Sequence, residues 1–218
     1  MQFGRLFLLA AMMLTSASAF AVDDDETDNH GKPKPRYELG ARFHFLTINP
    51  ILGNYYDEHE SVNGYTIGPI LSRRSEDGNS RLILGFDYSK TSPDDGPWLE
   101  AGDDPVEAEW TEFRNFSIIT TNFMFTHVFR RGPFGFQVGG GLGIAYTTGT
   151  VTSYPTDGNG QKLAGGEPDE KNIPKITPTV LIKLGPQFEL GRMGTVTLDV
   201  GLHNGLYAGA SITTALPF

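Results

Sequence analysis

Residues 208–218 read Ala208-Gly209-Ala210-Ser211-Ile212-Thr213-Thr214-Ala215-Leu216-Pro217-Phe218. Counting back in twos from Phe218 gives Leu216, Thr214, Ile212, Ala210 and Ala208, and the intervening residues are Pro217, Ala215, Thr213, Ser211 and Gly209. A strand sends successive side chains to opposite faces, so one face here suits an apolar surround and the other is small and polar. One such strand does not separate a barrel from a sandwich. The number of repeats upstream does.

From Tyr37 the same period runs through Tyr37, Leu39, Ala41, Phe43 and Phe45, with Glu38, Gly40, Arg42 and His44 on the other face. Further strands are expected at Val62–Ser72, Arg81–Lys90, Phe113–Arg130, Phe134–Thr147, Ile176–Leu190 and Thr195–Leu202. With the first and last strands these make eight. In the third, Leu82, Leu84, Phe86 and Tyr88 point out while Ile83, Gly85, Asp87 and Ser89 point in. The fifth alternates Phe134 to Tyr146 with Gly135, Gln137, Gly139, Gly141, Gly143, Ala145 and Thr147. A phosphate loop needs its glycines at a strand-to-helix turn, whereas these alternate within a strand and leave lumenal room.

Connections alternate in length. The second, fourth and sixth strands end in short turns at Arg73–Ser80, Arg131-Gly132-Pro133 and Gly191–Gly194, whereas 48–61, 91–112 and 152–175 are long and polar. Short periplasmic turns, long external loops and an apolar outer face are the pattern of transmembrane barrels, and an Ig-like sandwich has no need of that asymmetry. The expected fold is all-β: a closed eight-stranded antiparallel up-and-down transmembrane β-barrel. Residues 37–218 resemble the small outer-membrane barrel superfamily, OmpA-like in its transmembrane domain. The Asn122-containing fourth strand, the glycine-alternating fifth and the terminal Phe218 carry that resemblance. It implies an outer-membrane location, lipid and lipopolysaccharide as surroundings, and the barrel assembly machinery as a partner through Phe218.

The amino-terminal end agrees with export. Arg5, the apolar run Leu6–Leu14 and the small residues Ser16–Ala19 form a signal-peptide layout over 1–21, with overlapping cleavage sites before Phe20 and Val22. Residues 22–36, an acidic run followed by Pro33 and Pro35, read as a solvated leader. The chain has no cysteine and a formal charge of −9, which argues against nucleic acid as a partner, since phosphate binding rests on Lys and Arg. It carries 27 Gly, which fits many short strands and tight turns.

An eight-stranded lumen is filled by side chains or holds one small ligand, so a general pore is not expected. Glu38, Arg42, Lys183, Asp199 and His203 read as a lumenal polar network, non-enzymatic and structural. His44, Asp87, Ser89 and His203 share the outer part of the lumen, where a His, a carboxylate and a hydroxyl would suit acyl transfer on a lipid. His44, Asp87 and Ser89 resemble the arrangement in the lipid A palmitoyltransferases, which would make them catalytic. Asp87-Tyr88-Ser89 departs from the adjacent Asp-Ser of that family, and its amphipathic amino-terminal helix is missing. A narrow channel or small-ligand barrel is a further reading. His203-Asn204-Gly205 lacks the His-x-Ser of lipid A deacylases, and His44, His59 and His203 lack a metal-ligand spacing, so neither metal nor cofactor is expected. The loop 91–112 concentrates Asp94, Asp95, Glu100, Asp103, Asp104, Glu107, Glu109 and Glu112 around Trp98 and Trp110, a surface for divalent cations or basic partners.

Overall fold

The computed structural model describes residues 36–48, 56–157, 160–171, 175–191 and 194–216. The expected signal peptide, the leader to residue 35, and Pro217 with Phe218 lie outside them. Eleven strands follow in order: β1 (Arg36–Thr47), β2 (Tyr56–Glu58), β3 (Val62–Arg74), β4 (Ser80–Pro93), β5 (Gly96–Glu100), β6 (Glu109–Arg131), β7 (Phe134–Pro155), β8 (Asp169–Lys171), β9 (Ile176–Glu189), β10 (Thr195–Leu202) and β11 (Leu206–Ala215). The eight long ones, β1, β3, β4, β6, β7, β9, β10 and β11, each pair antiparallel with the next. β1 then pairs with β11, with Arg42 opposite Ser211 and His44 opposite Gly209, and the barrel is closed. Closure satisfies both edges of the sheet.

The two faces are inverted relative to a water-soluble protein. Outward positions stay exposed and apolar, including Phe45 at 66%, Leu142 at 69%, Ile144 at 62% and Ile176 at 69%. Inward positions are buried and mostly polar, from Glu38, Arg42 and His44 on β1 to Ser211 and Thr213 on β11. Only Ile70, Ile83, Met124 and Leu181 form an apolar cluster inside, among the described residues.

Two ends can be told apart. At the turn end, Ser75–Asn79 links β3 to β4: the Ser75 hydroxyl donates to Asp77 Oδ1 at 2.5 Å, and Asn79 N donates to the same oxygen at 3.1 Å. Those bonds hold the Asp77 carboxyl below its ordinary pKa. At the loop end the strands run further than the sequence suggests. β6 starts at Glu109 and β7 ends at Pro155, so parts of the loops 91–112 and 152–175 are strand, extended by β5 and β8, while β2 from the loop 48–61 pairs with β5. The reason is a local aromatic core. Trp98 packs on Tyr56 and Phe113, with centroids 5.2 and 5.5 Å apart, a grouping that the acidic composition around it conceals. A bulge between Arg114 and Ser117, with Asn115 at φ 53°, sits where the extension leaves the barrel.

The β10–β11 hairpin is short by contrast. Asn204 takes the left-handed conformation at φ 55°, which Asn tolerates, in the middle of the three-residue turn His203-Asn204-Gly205. Its Nδ2 donates to Thr120 Oγ1 on β6 at 2.9 Å, so this turn reaches across the lumen and caps it.

Candidate functional site

The lumen holds three polar clusters. At the turn end, Glu38 accepts from Ser72 and Thr213, both at 3.2 Å, and pairs with Arg74 at 3.2 Å and Arg81 at 3.5 Å. Both arginines also donate to Thr195 Oγ1 across the barrel, and Glu189 joins Arg74 at 3.0 Å and Arg130. Arg74 and Arg81 continue the inward phases of Ser72 and Ile83. Carrying the alternation from Ser72 into the Arg73–Ser80 turn reaches Arg74, and carrying it from Ile83 back to the first residue of the expected strand Arg81–Lys90 reaches Arg81.

The second cluster centres on Arg42. Its Nε donates to Asp87 Oδ1 at 2.6 Å, and its Nη2 donates to Asp87 Oδ2 and to Asn122 Oδ1, the latter at 2.9 Å. Asn122 Nδ2 closes the ring by donating to Asp87 Oδ2 at 2.6 Å. Such a planar, two-pronged pair, with a further donor on one carboxylate oxygen, is how a charge is kept inside a narrow barrel. His203 Nε2 lies 3.7 Å from Asp87 on the loop side. In the third cluster, Lys183 Nζ sits 2.7 Å from Asp199 Oδ2 and donates to Ser211 Oγ at 3.3 Å. His44 Nε2 is 3.4 Å from the same Asp199 oxygen but out of hydrogen-bond alignment, and its ring stacks on Tyr207 at 4.2 Å.

These partners distribute the sequence-derived residues in a particular way. Glu38, Arg42, Lys183 and Asp199 all face inward and are ion-paired, in three separate clusters, and His203, also inward, lies 3.7 Å from Asp87. The three residues considered catalytic are each committed elsewhere. His44 leans on Asp199, Asp87 grips Arg42, and Ser89 shares a 2.7 Å hydrogen bond with Thr66. His44 faces Thr66 and Thr66 faces Ser89 in one cross-strand row, so a strand stands between the imidazole and the hydroxyl. A base must come within about 3 Å of the proton it takes. All three are at most 2% exposed.

Asn122, Thr66 and Tyr207 were not singled out from the sequence. The alternation of the fourth strand sets Asn122 on one face with Thr120, Met124 and Thr126, but nothing in a linear pattern tells a lumenal amide which carboxylate it completes. At the loop end several acidic groups serve the backbone: Asp57 Oδ2 accepts from Gly102 N and Asp95 Oδ1 from Phe113 N, both at 3.0 Å. His59 lies beside Trp98, in the loop-end extension. Among the described residues no three carboxylates or imidazoles converge in a metal-holding group.

No protein-family model matches the chain, and no curated protein matches it. The site therefore has to be read from its own geometry.

Proposed function

We propose that this chain is an integral outer-membrane barrel whose lumen is a sealed structural core, and that its business with the surroundings is done by its acidic loops. The carrying observation is the inversion of the wall: a belt of exposed Phe, Leu, Ile and Val encircles buried Arg42, Asp87, Lys183 and Asp199. Water-soluble monomers rarely expose an apolar patch beyond about 300–600 Å². A bilayer removes that cost and leaves the closed ladder as the way to satisfy backbone polar groups.

In this reading the turn end faces the periplasm and the β2, β5, β6, β7 and β8 extension stands outside the cell, as in OmpA-like barrels. The bidentate Arg42–Asp87 pair, the Asn204 cap and the displaced His44 and Ser89 favour a structural lumen over an acyltransferase. The acidic residues from Asp94 to Glu112 suit attraction of divalent cations that bridge lipopolysaccharide, or of a basic protein, in the service of envelope integrity. The signal-peptide layout and the terminal Phe218 support export and assembly.

The test is insertion. The full-length chain expressed in a Gram-negative host is expected to fractionate with outer membranes, lose its first 19–21 residues and migrate faster unheated than boiled on SDS gels. Recovery as a soluble periplasmic species of unchanged mobility would overturn the proposal.

A further inference from the structure

On the outside of the turn end, a cavity of ≈ 450 Å³ is lined by Arg73, Glu76, Ser80, Leu82 and Phe125 among others. Arg73 faces Leu82, and Leu82 faces Phe125, so these three form one cross-strand row on the outward side. Leu82 is 37% and Phe125 53% exposed, giving the cavity an apolar wall continuous with the belt. The Ser75–Ser80 turn closes it at the polar end.

The charges at that end come in a specific combination. Asp77 is spent on its own turn, where it accepts from Ser75 and Asn79. Among the described residues Arg73 and Glu76 have neither an ion pair nor a side-chain hydrogen bond, unlike Arg74 and Arg81, which also line the cavity but are tied into the lumen. The cavity thus offers one unpaired guanidinium and one unpaired carboxylate beside an acyl-sized apolar wall.

We infer that this cavity holds a phospholipid of the periplasm-facing leaflet whose headgroup carries both a phosphate and a primary ammonium. Arg73 pairs with the phosphate, Glu76 accepts from the ammonium, and an acyl chain lies along Leu82 and Phe125. A headgroup with phosphate alone leaves Glu76 facing an anion. A trimethylammonium headgroup balances the charge but has no N–H to donate. The inference rests on the membrane reading above.

The experiment is native mass spectrometry of the full-length protein in detergent, with phosphatidylethanolamine, phosphatidylcholine and phosphatidylglycerol of matched chains in competition. Phosphatidylethanolamine is expected to be retained about threefold or more over both others, the scale of one partly exposed ion pair. Arg73→Gln and Glu76→Gln should each erase the preference while leaving the heat-dependent gel mobility unchanged, since both side chains lie outside the lumenal clusters. Equal retention of the three lipids, or a preference that survives both substitutions, would overturn the inference. Flotation of the same protein with lipid vesicles separates the two readings: a protein that floats without the preference refutes only the headgroup site, and one that does not float refutes membrane insertion.

Discussion

Arg42 and Asp87 meet across a glycine. Gly68 on β3 stands opposite Arg42, and a Cβ there would press on Asp87 Oδ1 and the Phe86 carbonyl, so the bare position lets side chains from two non-adjacent strands touch. The same device recurs on the other side of β1. Gly209 lies between His44 and Asp199, and a Cβ there would run into the His44 ring. These two lumenal glycines therefore help decide which charges pair, because each opens a gap through which a side chain can reach the next strand but one.

Asp87→Leu is expected to destabilise the barrel by about 3–5 kcal/mol, because it leaves the Arg42 guanidinium buried without its partner. Adding Arg42→Met should recover most of that loss, since an apolar pair of similar volume has no desolvation to repay. Urea unfolding of vesicle-reconstituted protein followed by tryptophan fluorescence reads both. A double variant as unstable as the single one would mean that Arg42 is held by something other than Asp87.

Gly68→Ala should cost about 1–3 kcal/mol, the range for overfilling a packed interior, and should slow refolding into vesicles. Gly140→Ala is the control. It sits on the outward side of the glycine-rich strand β7, and its nearest neighbour would be the Leu181 carbonyl at an ordinary 3.5 Å. That change is expected to be neutral or slightly stabilising, by up to about 1 kcal/mol, through the lost freedom of glycine in the unfolded chain. Equal effects at the two sites would refute the slot model.

The alternation of period two was enough to orient Glu38, Arg42, His44, Asp87 and Asp199 inward, and the long and short connections were enough to order the strands. Pairing was not legible. Asp87 and Asp199 stand on β4 and β10, each two strands from β1, and only the stagger of the closed barrel assigns the first to Arg42 and the second to His44. The loop-end strands were hidden for another reason: charge density along 91–112 masks the Trp98, Tyr56 and Phe113 contacts, which join segments distant in sequence.

His44→Ala and Ser89→Ala should each leave lipid A unchanged, because His44 is engaged with Asp199 and Tyr207 while Ser89 is bonded to Thr66. His44→Ala should instead lower stability by about 1–3 kcal/mol, as removing a buried, packed ring does. Mass spectrometry of lipid A from a deletion strain carrying each variant checks this. Loss of an acylated species that the wild-type gene restores and His44→Ala does not would establish the acyltransferase reading.

Loop docking at the exposed end should depend on pH through Glu112 and Lys162. Lys162 Nζ donates to Glu112 Oε1 at 2.7 Å and stands 3.2 Å over the Tyr154 ring, fastening the segment after β7 onto β6. The Lys162 hydrogen bond holds the Glu112 carboxyl below the usual carboxylate range, and the same bond raises the Lys162 pKa. A carboxyl with a depressed folded-state pKa contributes fully above its unfolded value and loses that contribution as pH falls through the folded value. A lysine with a raised folded-state pKa contributes fully below its unfolded value, and its share disappears as pH rises through the folded one. Docking is therefore expected to hold across the neutral range and to fail at both extremes, more weakly held at high salt because both groups face solvent. Hydrogen exchange of residues 160–163, measured from strongly acidic to strongly alkaline pH and corrected for intrinsic rates, should show protection falling at each end. Glu112→Gln should flatten that profile without altering exchange in β9 to β11, and a profile unchanged by the substitution would place the anchor elsewhere.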